Sequence, residues 1–440
     1  ASDVYKRQAH TARGNGVGCR DDSRATENGR AFMKVCVFTL GCKVNRYESD
    51  VIINKLIERG FEVTENLEKA DYYVINTCAV TAEAEKKSRQ CVARVKKQNP
   101  DAKILICGCA SENNAKQFEK DGVVYVSGTA KKDLLSLLPE SGVNVEDIPK
   151  SYEELGFAEN VRTRAYVKIQ DGCNNFCSYC LIPYVRGRSR SRALDKVVEE
   201  VRSVPENIKE IVLTGIDISS YGKDIGLSLK DLILALSDVD KRIRLGSFEM
   251  NIIDDGLLNA LKGLRHFCPH FHLSLQSGSD EVLRTMNRHY KTKDYLERVR
   301  LIRKYFPLAG ITTDVIVGFP TETDKEFFVS KEFVKSVGFS DVHCFPYSPR
   351  KGTASYKKYK PLDSSVIDGR MKEMLEIKEN LKKDFLLKNV GATHEVLFEE
   401  YENGYCAGYS ENYIRFYDKT AKPDEIRKIT GKAQIFDGLM

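Results

Sequence analysis

Ala165-Tyr166-Val167-Lys168-Ile169-Gln170-Asp171-Gly172-Cys173-Asn174-Asn175-Phe176-Cys177-Ser178-Tyr179-Cys180 reads as a β-strand that runs into three thiols. The apolar alternation from Ala165 to Ile169 is a strand pattern, Gly172 breaks it, and the cysteines follow at offsets of four and three. Thiolates are the ligands of iron-sulfur clusters, and so tight a loop can wrap three corners of a cubane, leaving one iron without a protein ligand. An open iron can chelate a small molecule, which separates a reactive site from an electron carrier. Zinc would ask for paired thiols with a second pair or histidines at finger-like spacing, and none of the seven His stands nearby. Three buried cysteines together by coincidence are the remaining alternative.

Further strand patterns follow at Glu210 to Leu213, Arg242 to Leu245, Phe271 to Leu275, Ile311 to Val317 and Asp341 to Phe345. Helical patterns such as Lys196 to Val201 and Tyr295 to Tyr305 lie between them. Six such βα units predict an open or partial parallel barrel, with a flat doubly wound sheet as the alternative.

Upstream, the pattern is also α/β. Strands are expected at Lys34 to Leu40, Asp71 to Asn76 and Lys103 to Ile106, with helices at Glu48 to Arg59 and Ala82 to Lys97. Leu40-Gly41-Cys42, Asn76-Thr77-Cys78 and Cys107-Gly108-Cys109 each close an apolar strand. Strand ends of an open parallel sheet face one crevice, so Cys42, Cys78 and Cys109 are expected to meet as a second three-thiol site. Cys36 and Cys107, inside strands, read as ordinary core, and Cys91, Cys268, Cys344 and Cys406 as structural.

A chain of 440 residues exceeds one compact core and favours two or three domains. With 42% hydrophobic and 30% charged residues it has a soluble balance, and no apolar run approaches the ~20 residues of a membrane helix. Thirteen cysteines grouped in short motifs, without a secretion signal, point to cytosolic metal or redox chemistry rather than disulfides. The net charge of +6 permits a polyanionic partner without demanding one. The polar stretch 1–32 reads as a disordered extension or translation artefact, with a mitochondrial address as the rival; no function is attached to Cys19. Domains are expected at 33–138 and 161–382, joined by a connector at 139–160, with a last one at 383–440. The last follows the charged helix Met371 to Leu387 and carries strands at Glu395 to Glu399, Gly404 to Tyr409, Tyr413 to Tyr417 and Lys432 to Phe436, a small all-β module.

The Cys173, Cys177, Cys180 loop, with Tyr179 before its last thiol, resembles the signature of the radical S-adenosylmethionine superfamily. With the second cysteine set it resembles the methylthiotransferases over about Met33 to Met440. The resemblance extends to Arg186 through Arg192, Leu273 through Ser279, Met286-Asn287-Arg288 and Asp314 to Glu322. It implies a parallel α/β N-terminal domain, a central partial (β/α)6 radical SAM barrel and a small all-β TRAM-like barrel that binds RNA. It implies a radical-generating 4Fe-4S cluster on Cys173, Cys177 and Cys180, and an auxiliary 4Fe-4S cluster on Cys42, Cys78 and Cys109. The cofactors would be these clusters and S-adenosyl-L-methionine, the partners tRNA and an external electron donor, and the location the cytoplasm. Gln170 to Cys177 and Ile182 to Arg188 look most like the branch acting at C2 of N6-threonylcarbamoyladenosine; N6-isopentenyladenosine or a ribosomal-protein aspartate are the alternatives within the family.

Strand-end polar groups of a barrel gather function, so Gly215, Asp217, Glu249, Gln276 and Asp314 are candidates for S-adenosylmethionine contact. Ile316 resembles the stretch that packs on adenine, and Tyr179 joins the set. No catalytic residue is assigned beyond the cluster ligands. Arg186, Arg188, Arg190 and Arg192, close after the cluster loop, are expected to contact RNA phosphates, a solvated charged loop being the alternative. Tyr401, Tyr405, Tyr409, Tyr413 and Phe416 offer stacking faces, or β-core. A passive iron-sulfur carrier or RNA-binding protein leaves two three-thiol sites unexplained.

Overall fold

The computed structural model describes residues 33–158 and 163–440; the reading of 1–32 lies outside them. Six strands open the fold: β1 (Lys34–Thr39), β2 (Glu62–Thr64), β3 (Tyr72–Thr77), β4 (Lys103–Gly108), β5 (Tyr125–Ser127) and β6 (Gly142–Asn144). They form one parallel sheet in the order β2-β1-β3-β4-β5-β6, whose direction reverses between β1 and β3. Residues Ile104, Leu105 and Ile106 are fully buried, as both faces of a helix-covered parallel sheet require. The helices Lys43–Glu58 and Ala82–Gln98 supply that cover, the second capped by the Thr81 hydroxyl accepting from Ala84 N. Strand β6 lies inside the stretch 139–160 expected to be connector. With only three residues, partly exposed, it carries too short a pattern to register.

The second series is β7 (Arg164–Lys168), the ribbon β8 (Gln170–Asp171) with β9 (Arg190–Ser191), then β10 (Glu210–Thr214), β11 (Arg242–Leu245), β12 (His270–His272), β13 (Gly310–Val317) and β14 (Asp341–Pro346). Parallel pairing joins β7-β10-β11 and β12-β13-β14, and parallel bridges Ile243 to Phe267 and Phe248 to Leu273 close the gap. Apart from the ribbon, neighbours in space are neighbours in sequence. That is the singly wound order of an open six-strand barrel, and it sets the doubly wound alternative aside for this region. Ile243 and Leu245 alternate outward into the helical layer, while Arg242 and Arg244 take the other face.

The helix Ser364–Asn389 runs unbroken across the boundary expected at 382/383 and leads into β15 (Thr393–Glu402), β16 (Tyr405–Ser410), β17 (Arg415–Asp418), β18 (Ile426–Thr430), β19 (Gln434–Ile435) and β20 (Gly438–Leu439). These form one sheet, β18-β15-β16-β17-β20-β19. It packs against the ends where the barrel strands begin. Arg242 and Arg244 donate to the carbonyls of Glu395, Tyr409, Ser410 and Glu411 at 3.0–3.3 Å, and the Asn412 amide donates to Leu308 O at 2.8 Å. Tyr413 stacks on His270 with centroids 4.5 Å apart. Among the described residues no helix is long and apolar enough to cross a membrane.

Candidate functional site

Cys42, Cys78 and Cys109 directly follow or closely follow β1, β3 and β4, the three strands at the reversal of sheet order, where the crevice of an open α/β sheet forms. Asn45 ties two of those ends together: its amide donates to Leu40 O at 2.8 Å and to Thr77 O at 2.9 Å. The charge of Cys109 bears on Cys42, and those of Cys109 and Cys42 on Cys78. Gly41 fits there only without a side chain. At φ +99°, a Cβ would stand 2.7 Å from Cys78 Cβ and 2.8 Å from its sulfur. Gly41→Ala is therefore expected to displace Cys78 and to cost about half the bound iron after reconstitution, one cubane of two; iron analysis of the purified variant checks it.

The second triad sits on the loop after β7. Gly172, at φ +70°, lets Arg188 O approach where a Cβ would lie 2.0 Å away, and Asn287 holds the carbonyls of Asn175 and Phe176 at 3.2 and 3.1 Å. Backbone N–H groups point at sulfur: Asn175 N to Cys173 Sγ at 3.5 Å and Ile182 N to Cys180 Sγ at 3.4 Å. The Arg288 guanidinium donates to Cys177 Sγ at 3.3 Å and pairs with Glu249 at 2.7 Å. The Asn175 amide reaches Asp217 and Glu249 at 3.3 and 3.4 Å. Arg186 reaches Cys109 Sγ, and its neighbour Gly187 accepts from Cys173 N at 3.0 Å, so one short segment touches both triads.

Between them lies a buried charge network. Glu48 accepts from Lys168 at 2.7 Å, from Arg186 at 2.9 and 3.1 Å, and from Lys132. Asp171 accepts from Lys168 at 2.7 Å and from Arg186 at 3.0 and 3.1 Å, with Arg190 at 3.6 Å. Arg186 completes the link, donating to Asn45 Oδ1 at 2.6 Å and to Cys109 Sγ at 3.3 Å. Burial alone would push the Glu48 carboxyl up; Arg186, Lys132 and Lys168 outweigh it and hold the group well below its ordinary 4.5. Four cations thus contact two carboxylates, all buried. Glu112 and Glu153 sense these cations from a distance without touching them.

The residues fit anionic iron-sulfur clusters. Buried cations in excess call for negative charge, and a thiolate-ligated cubane beside Cys109 provides it. Burial pushes the Cys78 and Cys180 thiols up to about 12 and raises Cys42 and Cys173, so they keep their protons until an electropositive group displaces them. Among the described residues no three His, Cys, Asp or Glu close on a single metal ion. A cubane takes one thiolate per iron and needs them apart.

Three of the four arginines expected on RNA are corrected by this geometry. Arg186 and Arg192 are fully buried and Arg190 nearly so. Arg192 pairs with Glu154 at 2.8 Å and with Glu200, and Arg186 and Arg190 belong to the network above. Only Arg188 remains exposed, its guanidinium 4.4 Å from the centroid of Phe176. Tyr413 and Phe416 are likewise packing groups, Tyr413 against His270, Tyr409 and Arg244, and Phe416 in the core of the last sheet; Tyr401 is exposed.

Of the expected cofactor contacts, Asp217 and Glu249 meet at Asn175, and Gly215 packs by Gln170. Tyr179 and Ile316 pack against the same apolar cluster around Phe319 and Met286. Gln276, at φ +69°, bridges to β13, its backbone N–H donating to Asp314 O at 2.8 Å. Asp314 itself pairs with His272 at 3.3 Å. Glu48, Lys132, Lys168, Asp171, Asn175 and Arg288 were not singled out from sequence. The Asp171-Gly172 step before Cys173 was the one local signal; Glu48 lies too far along the chain to advertise its partners.

A family profile described as the radical SAM superfamily matches residues 167–334, and one described as uncharacterized protein family UPF0004 matches residues 34–128. The threonylcarbamoyladenosine tRNA methylthiotransferase MtaB of Thermotoga maritima is 38% identical over 423 residues, covering 92% of this chain and 96% of the relative. The tRNA-2-methylthio-N(6)-dimethylallyladenosine synthase of Acetivibrio thermocellus is 34% identical over 386 residues, 83% of this chain and 80% of the relative. The fold is similar to that of the radical S-adenosylmethionine methyltransferase TsrM from Kitasatospora setae, solved with cobalamin and a 4Fe-4S cluster. The TM-score there is 0.54 at 14% identity, over 72% of this chain and 77% of that one. Identity of 38% over 92% of the chain, with both profile matches, leaves one assignment: the chain belongs to the radical S-adenosylmethionine methylthiotransferase family.

Proposed function

We propose that the chain attaches a methylthio group to C2 of N6-threonylcarbamoyladenosine in tRNA, at the adenosine 3′ of the anticodon. The observation that carries this is the pair of three-thiol sites joined through the Arg186-Gly187 segment, which contacts Cys109 on one side and Cys173 on the other. A passive carrier has no use for two sites that each stop one ligand short. When bound, the 4Fe-4S clusters and S-adenosylmethionine supply the radical, the sulfur and the methyl group.

Cys173, Cys177 and Cys180 hold one cluster, and Cys42, Cys78 and Cys109 the other. Asn175, Glu249 and Asp217 line the approach to the first with polar groups that suit the amino and carboxylate ends of S-adenosylmethionine. Tyr179 and Ile316 offer the apolar wall for its adenine, with Gly215, Gln276 and Asp314 along the strand ends. Arg188 and Tyr401 are the RNA contacts of the original set that stay accessible. An external low-potential donor supplies electrons, and the cytoplasm is the compartment.

The choice of modified base rests on the relatives whose names carry threonylcarbamoyladenosine. Nucleoside mass spectrometry after anaerobic incubation with threonylcarbamoyl- and isopentenyl-adenosine tRNAs tests it. Methylthio product on the first tRNA is expected. Product only on the second moves the substrate; 5′-deoxyadenosine with no product on either points to a protein target.

A further inference from the structure

Each triad carries one guanidinium on one thiol: Arg186 on Cys109 and Arg288 on Cys177, both at 3.3 Å. The surroundings of the two arginines differ in sign. On the Arg186 side, Arg186, Lys132, Lys168 and Arg190 find two carboxylates in direct contact, Glu48 and Asp171, while Glu112 and Glu153 act on them only from a distance. On the Arg288 side, one cation meets Glu249 directly and Asp217 across the Asn175 amide. Lys223 also bears on Glu249, but it is exposed and screened by solvent.

The reduction potential of an iron-sulfur cluster follows its net surrounding charge and the hydrogen bonds to its sulfurs. In a buried site such charges act at low effective dielectric and are felt over several ångströms. Both triads receive N–H···S bonds, so the difference in charge decides between them. We infer that the Cys42, Cys78, Cys109 site is the higher-potential of the two, and that Arg186 is the positioning residue that makes it so. An electron delivered to the protein settles there before the Cys173, Cys177, Cys180 site is reduced. This rests on the cluster reading and adds an order of filling to it.

Anaerobic potentiometric reduction of the reconstituted full-length protein with dithionite, followed by EPR, tests the order. In each step one electron from dithionite takes an oxidised cubane from the 2+ to the 1+ state, with no bond to sulfur made or broken. Cys78→Ala and Cys177→Ala assign the two signals. Iron and sulfide content is measured first: less than two cubanes per chain overturns the cluster reading itself.

With both cubanes present, the signal missing in Cys78→Ala is expected to appear at the higher potential. Arg186→Gln shifts that midpoint downward and the other by less, while Arg186→Lys, which keeps the charge, restores most of it. Should Arg186→Gln fail to fold, Arg190→Gln removes one cation from the rim of the same network and is expected to shift the same midpoint in the same direction. A reversed order in the parent protein, or a midpoint that neither substitution moves, overturns the inference.

Discussion

Cys78→Ala is expected to abolish methylthio transfer, by more than about 100-fold, while 5′-deoxyadenosine is still released from S-adenosylmethionine. Replacing outer partners of a metal ligand already costs 10–100-fold, so removal of a ligand itself exceeds that scale. The two activities separate because the thiols come from different parts of the chain. Cys78 follows β3 of the first sheet, whereas Cys173, Cys177 and Cys180 lie on the loop after β7. Neither segment needs the other's backbone to close its turn: Cys78 N is held by Ser88 Oγ at 3.3 Å, and Ser178 N by Met286 O at 2.9 Å. Loss of both cubanes in Cys78→Ala, read by iron content, would sink the assignment of separate sites.

Glu48→Gln is the substitution expected to cost most in stability. The carboxylate contacts Lys132, Lys168 and Arg186 at a buried position, so an amide there leaves Lys132 with no carboxylate partner and Lys168, Arg186 and Arg190 with Asp171 alone. Removing one partner of a buried ion pair typically costs about 3–5 kcal/mol. At 2–4 °C per kcal/mol for a domain of this size, the melting temperature should fall by about 10 °C. Thermal unfolding of the apo chain beside the parent measures it, and an unchanged transition would refute the role given to Glu48. Acidity should do gradually what the substitution does at once. Glu48 is held below its unfolded value near 4.5, and Asp171 below its own near 3.8. Their contribution is whole above about pH 5 and is lost as pH falls through the depressed folded values. The parent should therefore lose stability on acidification more steeply than Glu48→Gln.

The parts legible in sequence were those with a local period. Ile104 to Ile106 and Ile211 to Leu213 are apolar runs bounded by turns, and the strands appeared there. The cysteines could be placed because each stands at or just beyond a strand end, and parallel topology carries strand ends to a common edge. What misled was charge. Arg186, Arg188, Arg190 and Arg192 look like a solvated basic ribbon, because Glu48 lies 138 residues from Arg186 and nothing in one dimension pairs them. Aromatic spacing left stacking face and β-core open in the last sheet, and Tyr413 turns inward onto His270 of the barrel. The boundary at 382/383 fell within a helix because its amphipathic pattern continues past the point where the core beneath it changes.

The last sheet sits across the end where the barrel strands begin, held by Arg242, Arg244 and Asn412, while the cysteine loop crowns the other end. A barrel stoppered at its base is a cup rather than a pipe. Small molecules therefore do not pass through it end to end, and the face that carries the cysteine loop is the end left to receive them.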